Sequence, residues 1–342
     1  MVRKAGIIAL STVMLCVVAL GAFAGGQGEG EAAGEEQPLR MAAIFPGSIQ
    51  DADYNSIGYM ALQEVGQEYD VETAYSEKVA VPDAERVLRE YANAGFDVIF
   101  VHGNQFNGAA TNVGPNYPDV TFILEVDSEP TDKLENFWYM DRNFYTGFYV
   151  LGALAGLKTE TGTVGYLGGL ELPFTRAEIN SILQALEDVD SDAELRYIYI
   201  GDFNDPVKTR QAAEGLISND VDVIISSVNL GNYGLYNAVQ EADRDVFITT
   251  KYTDKEVQAP EKYLTSDLFD FRIPLKEVVG RIIDGEKGGF TFLEYGEGNA
   301  RWTQFPIKNV SDELNDRIRQ IAEDVAAGEI EIERNQAEIM EQ

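Results

Sequence analysis

From residue 40 onward the chain alternates short, wholly apolar runs with longer stretches in which apolar residues recur every three or four positions. The runs MAAIF (41–45), DVIFVH (97–102) and VTFILEV (120–126) lack polar alternation, which predicts strands buried on both faces of a parallel sheet. Residues 56–69 predict a helix. In the next helix Ala84, Val87, Leu88, Tyr91 and Ala92 fall on one face, and Asp83 after Pro82 supplies a cap. A helix at 144–157 and the strand TVGYL (163–167) follow. The order then restarts: strand 194–200, helix 206–218, strand 221–227, helix 232–242 and strand 245–250.

The second series echoes the first in its residues as well as its order. "RVLREYANAGFDVIFVHGNQF" parallels "RQAAEGLISNDVDVIISSVNLG", which points to duplication. Repeated strand–helix units form parallel sheets with right-handed crossovers. The expected fold class is therefore α/β, with two doubly wound lobes side by side. Ligands of such sheets bind beyond the carboxyl ends of the strands. Those ends read PGSIQDADYN (46–55), HGNQF (102–106), GDFND (201–205) and SVNLGNYG (227–234), all mixing amides, aromatics and glycines. They predict a shared cleft between the lobes, with Asp53, Tyr54, Asn55, Gln105, Phe203 and Asn229 on its walls. Gly169, in the run Gly168-Gly169, would let the backbone approach a ligand closely.

The segment Asp51-Ala-Asp53-Tyr-Asn55 begins like a calcium loop of the EF-hand type. That loop needs Gly at its sixth position and Glu at its twelfth, where Ser56 and Leu62 stand. No metal site is expected. His102 is the only histidine, and no nucleophile elbow, phosphate loop or zinc motif occurs, so neither an enzyme nor a cofactor is expected. Tyr54 and Phe203 admit two readings. They stand at equivalent strand ends of the two halves and could sandwich a flat ring, or each could be a hydrophobic staple at a helix start.

Composition refines this picture in three ways. A 45% share of hydrophobic residues supports a real core. Arg3 and Lys4, the apolar run 5–23 and Ala22-Phe23-Ala24 read as a signal peptide over 1–24, with a transmembrane anchor as the competing reading. Residues 25–37 then read as a disordered tether. Cleavage after Ala24 is preferred to lipid attachment at Cys16, because Leu15 precedes that cysteine where a small residue is expected. The formal charge of −32 argues against nucleic acid and anionic membrane surfaces as partners.

On Asp51-Ala-Asp-Tyr54-Asn55, YVLGALAG (149–156), TETGTVGYLGG (159–169) and GDFNDP (201–206), the chain resembles the basic membrane protein family. These are substrate-binding lipoproteins of ABC importers, among them a bacterial purine nucleoside receptor. The resemblance runs from about residue 40 to 330. It implies a type I periplasmic-binding fold with three hinge crossings, lobe I comprising 38–143 plus 254–270 and lobe II 144–253 plus 271–342. It also implies an exported protein, periplasmic or on the outer face of the cytoplasmic membrane, that serves an ABC permease and ATPase. A purine base would stack between Tyr54 and Phe203, with Asn55, Gln105 and Asp141 reading its edge.

Two departures bear on the ligand. The family places an aspartate for ribose hydroxyls where this chain has Lys251, and a lysine shortly after a Thr-Ser pair where this chain has Thr265-Ser266-Asp267. A charge swap, with Asp267 facing Lys251 across the cleft, would reconcile both. The pocket could instead take riboflavin, for which Trp138, Tyr139, Phe174 and Tyr252 offer further aromatic surface. A ligand-sensing receptor domain and a nucleoside-processing enzyme are the remaining alternatives.

Overall fold

A computed structural model describes residues 38–339. The expected signal peptide, the expected tether and Cys16 lie outside the described residues. The first half builds β1 (Arg40–Ile44), α1 (Tyr54–Glu68), β2 (Glu72–Ser76), α2 (Ala84–Asn93), β3 (Val98–Val101), α3 (Asn107–Val113), β4 (Thr121–Val126) and β5 (Phe137–Asp141). The second builds α4 (Phe144–Lys158), β6 (Thr163–Gly168), α5 (Pro173–Asp188), β7 (Glu194–Tyr199), α6 (Pro206–Ser218), β8 (Val223–Ser227), α7 (Asn232–Glu241), β9 (Phe247–Tyr252) and β10 (Tyr263–Phe269). Then come α8 (Arg272–Ile283), β11 (Gly289–Phe292), β12 (Arg301–Thr303) and α9 (Asp312–Ala327).

Two six-stranded sheets result, ordered β11-β5-β4-β3-β1-β2 and β12-β10-β9-β8-β6-β7. All strand pairs are parallel except β10 with β12. The apolar runs fill both faces of each sheet: Ala43, Phe100 and Ile123 on one side of the first, and Ile44, Val101 and Leu124 on the other. The edge strand β2 is only half-buried, which is why ETAYS carried no apolar signal.

The chain passes between the sheets three times, after β5, after β10 and after β11. The expected division of the last third needs correcting. Residues 254–270 are expected in lobe I, but β10 pairs in register with β9, Ser266 opposite Thr250, and belongs to lobe II. Residues 271–342 are expected in lobe II, but α8 packs on α1 and β11 pairs with β5, so both belong to lobe I. An apolar run shows that a strand is buried, not which sheet edge receives it.

The C-terminal segment ties the lobes together. Its Arg334 reaches Asp141 at 2.5 Å, and Gln336 donates to the Asp127 carbonyl at 3.0 Å, both on lobe I. On lobe II, Asn180 and Gln184 of α5 donate to the carbonyls of Asn335 and Glu331, each at 2.9 Å.

Candidate functional site

The residues after β1, β3, β6, β7 and β8, with the end of β9, converge on a cavity of about 270 Å³ between the two sheets. Lobe I contributes Gly47, Tyr54, Asn55 and Gln105; lobe II contributes Phe174, Phe203, Asn229 and Tyr252; Arg142 stands at the first crossing. Of the expected site residues, Tyr54, Asn55, Gln105, Phe203 and Asn229 are thus brought together.

The polar groups of the first wall are largely committed. Asp51 accepts from the backbone N–H groups of Asp53, Asn55 and Ser56 at 2.9–3.0 Å, capping the start of α1. The Asn55 amide accepts from the Gly47 N–H at 3.0 Å and donates to Asp51 at 2.6 Å, which leaves one N–H for a ligand. Tyr54 is fixed even more firmly. Its hydroxyl donates to Glu125 at 2.5 Å, and its ring stacks on His102 with centroids 3.9 Å apart. His102 Nε2 lies 2.9 Å from the Tyr54 carbonyl and Nδ1 lies 2.5 Å from Glu125. A carbonyl only accepts, so Nε2 carries hydrogen, while Nδ1 faces the carboxylate.

The opposite wall is aromatic. Phe203 is half-buried, lies nearly parallel to Phe174 at 6.1 Å, and rests against the backbone of Gly169. A Cβ on Gly169 would stand 2.2 Å from the Phe203 ring, so this glycine seats the ring without itself lining the cavity. Tyr252 adopts a φ of 74°, a region that a bulky residue enters only when its surroundings impose it. Trp138 and Tyr139 are buried in the core of lobe I, away from the cleft.

Besides Gly169, four expected contacts fall elsewhere. Asp141 is held by Arg334 and by the Asn143 N–H at 2.8 Å, beneath the C-terminal segment. Lys251 and Asp267 are neighbours in the sheet but do not form the expected pair. The long Lys251 side chain passes over to Ser227 at 2.7 Å and Glu178 at 3.5 Å, within a cage of Phe144, Phe174 and Tyr252. Burial pushes its ammonium below the usual lysine range, against the pull of Glu178. Asp267 is claimed by Arg301 from the other side, through bonds of 2.9 and 3.1 Å from Nε. Among the described residues, no carboxylate lines the cavity.

Asp53 leaves the cavity for the rim, where it meets Lys255 of lobe II at 3.1 Å; beside them Thr253 donates to the Ala52 carbonyl at 3.0 Å. Burial raises the Asp53 carboxyl to about 6, and the nearby Lys255 only partly offsets this. A carboxyl raised on folding holds its proton longer in the folded state, so its contribution is present at low pH and lost as pH rises through about 6. Relative to Asp53→Asn, the parent should therefore gain about 2 kcal/mol of stability as pH falls from about 7.5 to about 4.5. Urea titrations at each pH measure the difference; a gap independent of pH refutes it.

Sequence reasoning missed Arg142, although the signal was present. Successive residues of a strand point to opposite faces. The ladder runs one residue past β5, the Arg142 N–H donating to the Val126 carbonyl at 3.0 Å, so Asp141 turns toward the C-terminal segment and Arg142 toward the cavity.

Residues 39–336 match the family model of PnrA-like ABC transporter substrate-binding proteins, Bmp. The chain belongs to the Bmp family. Among its relatives, a putative ABC transporter glucose-binding protein of Haloferax volcanii is 27% identical over 90% of this chain and 76% of its own. A purine-binding protein of Brucella abortus is 26% identical over 88% of this chain and 85% of its own. An ABC-transporter solute-binding protein of Aeropyrum pernix superposes with a TM-score of 0.75 at 17% identity, covering 88% of this chain and 94% of that one. The two lobes thus have the type I architecture of periplasmic solute-binding proteins. Bmp proteins of ABC importers work outside the cytoplasm with membrane partners. No helix among the described residues is long and apolar enough to cross a membrane.

Proposed function

We propose that this Bmp protein is exported and captures a purine nucleoside in the interlobe cleft, delivering it to an ABC permease and its ATPase. The observation that carries this reading is the cavity itself, with Tyr54 on one lobe and Phe203 on the other. A flat heterocycle between them gains contact on both faces, and each aromatic contact adds about 0.5–1.5 kcal/mol beyond area burial. The rigid Tyr54 supplies a prebuilt surface, and closure brings up Phe203. Ligand binding then supplies the free-energy difference that favours the closed form, which the permease recognises. The role is binding, not turnover.

The purine-binding relative favours a purine, and the putative glucose-binding relative makes glucose the competitor to test. Protein unfolded in guanidinium to strip its ligand, refolded and titrated calorimetrically should bind inosine, guanosine or adenosine. Binding of riboflavin or glucose alone would refute the nucleoside reading and leave the transport class standing.

A further inference from the structure

We infer that Arg142 makes the cleft select oxopurines over aminopurines, by presenting a fixed guanidinium edge to two adjacent acceptors on the ligand ring. The inference rests on the purine reading above and adds the identity of the ring edge.

Arg142 is the only charged side chain lining the cavity among the described residues. Its guanidinium is held in one orientation. Nε donates to Asp127 at 3.1 Å, Nη2 donates to the same carboxylate, and the plane lies over Phe144 at 4.5 Å and Phe174 at 4.9 Å. Nη1 is differently placed. Its nearest carboxylate oxygen, on Glu125, is 3.9 Å away, beyond hydrogen-bond reach, so its two N–H groups are unspent. Glu125 cannot swing toward it, since one oxygen takes the Tyr54 hydroxyl and the other meets His102.

The other free polar atoms set the complement. Asn229 Oδ1, on the opposite wall, is buried without a donor and can take a ligand N–H or hydroxyl. The remaining carboxylates near the cleft are all engaged: Glu178 by Tyr166 and Lys251, Asp267 by Arg301, and Asp53 by Lys255. No free carboxylate is thus left beside Arg142 to receive an exocyclic amino group.

The O6 and N7 atoms of an oxopurine are adjacent acceptors, and arginine is the side chain that pairs with them most often. The corresponding edge of adenine carries a donor at N6, which would face the guanidinium N–H groups. Glutamine or asparagine pairs with the adenine edge instead. That difference defines the test.

Stripped and refolded protein is titrated with inosine, guanosine and adenosine, and with hypoxanthine and adenine. The parent should bind the oxopurine of each set about tenfold or more tightly than the aminopurine. In Arg142→Gln that ratio should fall to near unity or reverse, while Arg142→Lys, which keeps charge but not the fork, should give an intermediate ratio. If Arg142→Gln does not fold, Asp127→Asn loosens the guanidinium without removing it and should also narrow the ratio. Purines that bind without preference, or a preference that survives Arg142→Gln, overturn this inference alone. Failure of every purine to bind overturns the purine reading as well.

Discussion

Replacing Arg301 by methionine should cost this protein about 3–5 kcal/mol of stability, the usual cost of removing one member of a buried ion pair. Both Arg301 and Asp267 are fully buried. The methionine fills much of the space but leaves the Asp267 carboxylate facing a core that cannot solvate it. Even with Arg301 present, burial holds the Asp267 carboxyl above its ordinary range, so in the variant it has still more reason to take up a proton. The deficit should therefore shrink as pH falls. Adding Asp267→Leu should recover most of it, because an apolar pair of similar volume often replaces a buried ion pair without loss. Chemical denaturation of the single and double variants measures both effects. A single variant within 1 kcal/mol of the parent would refute this account of β10 and β12. Arg301 also donates to the Phe144 carbonyl at 2.5 Å, so it anchors the crossing from which Arg142 projects.

Phe203→Ala should act on binding and hardly on folding. The ring is half-buried on the cavity wall, against the Gly169 backbone and beside Phe174. Its removal takes away one face of the proposed sandwich, and aromatic anchors of this kind cost about 2 kcal/mol or more when truncated, about 30-fold in affinity. Stability should change by less than about 1 kcal/mol, as little core is lost. Tyr54→Ala cannot separate the two effects so cleanly, because it also strips Glu125 and His102 of a shared partner. Calorimetry with the best-binding nucleoside, alongside urea denaturation, gives both numbers. An affinity within threefold of the parent would show that Phe203 does not grip the ligand.

Strand ends were the most legible part of the site. The convergence of residues near 54, 105, 203 and 229 follows from parallel sheets alone, and the cavity unites them. The fates of individual polar groups were not legible. Asn55 stands where expected, yet most of its amide serves the loop and the helix start. Lys251 and Asp267 are adjacent in the sheet, but each charge finds its partner on a different element, Glu178 of α5 and Arg301 of β12. Local spacing cannot encode a pairing 34 residues apart. The family resemblance places Asp141 at the base edge, but Arg334, nearly two hundred residues downstream, claims it.

The three crossings also fix a schedule. Lobe I receives α8 and the edge strand β11 only after all of β6 to β10 has been made. Until residue 292 has emerged, one border of the first sheet lies open and α1 lacks its packing partner. Neither lobe can be sealed as an independent nascent unit, so their assembly is coupled in time, and a cut that yields one whole lobe as an unbroken stretch of chain does not exist.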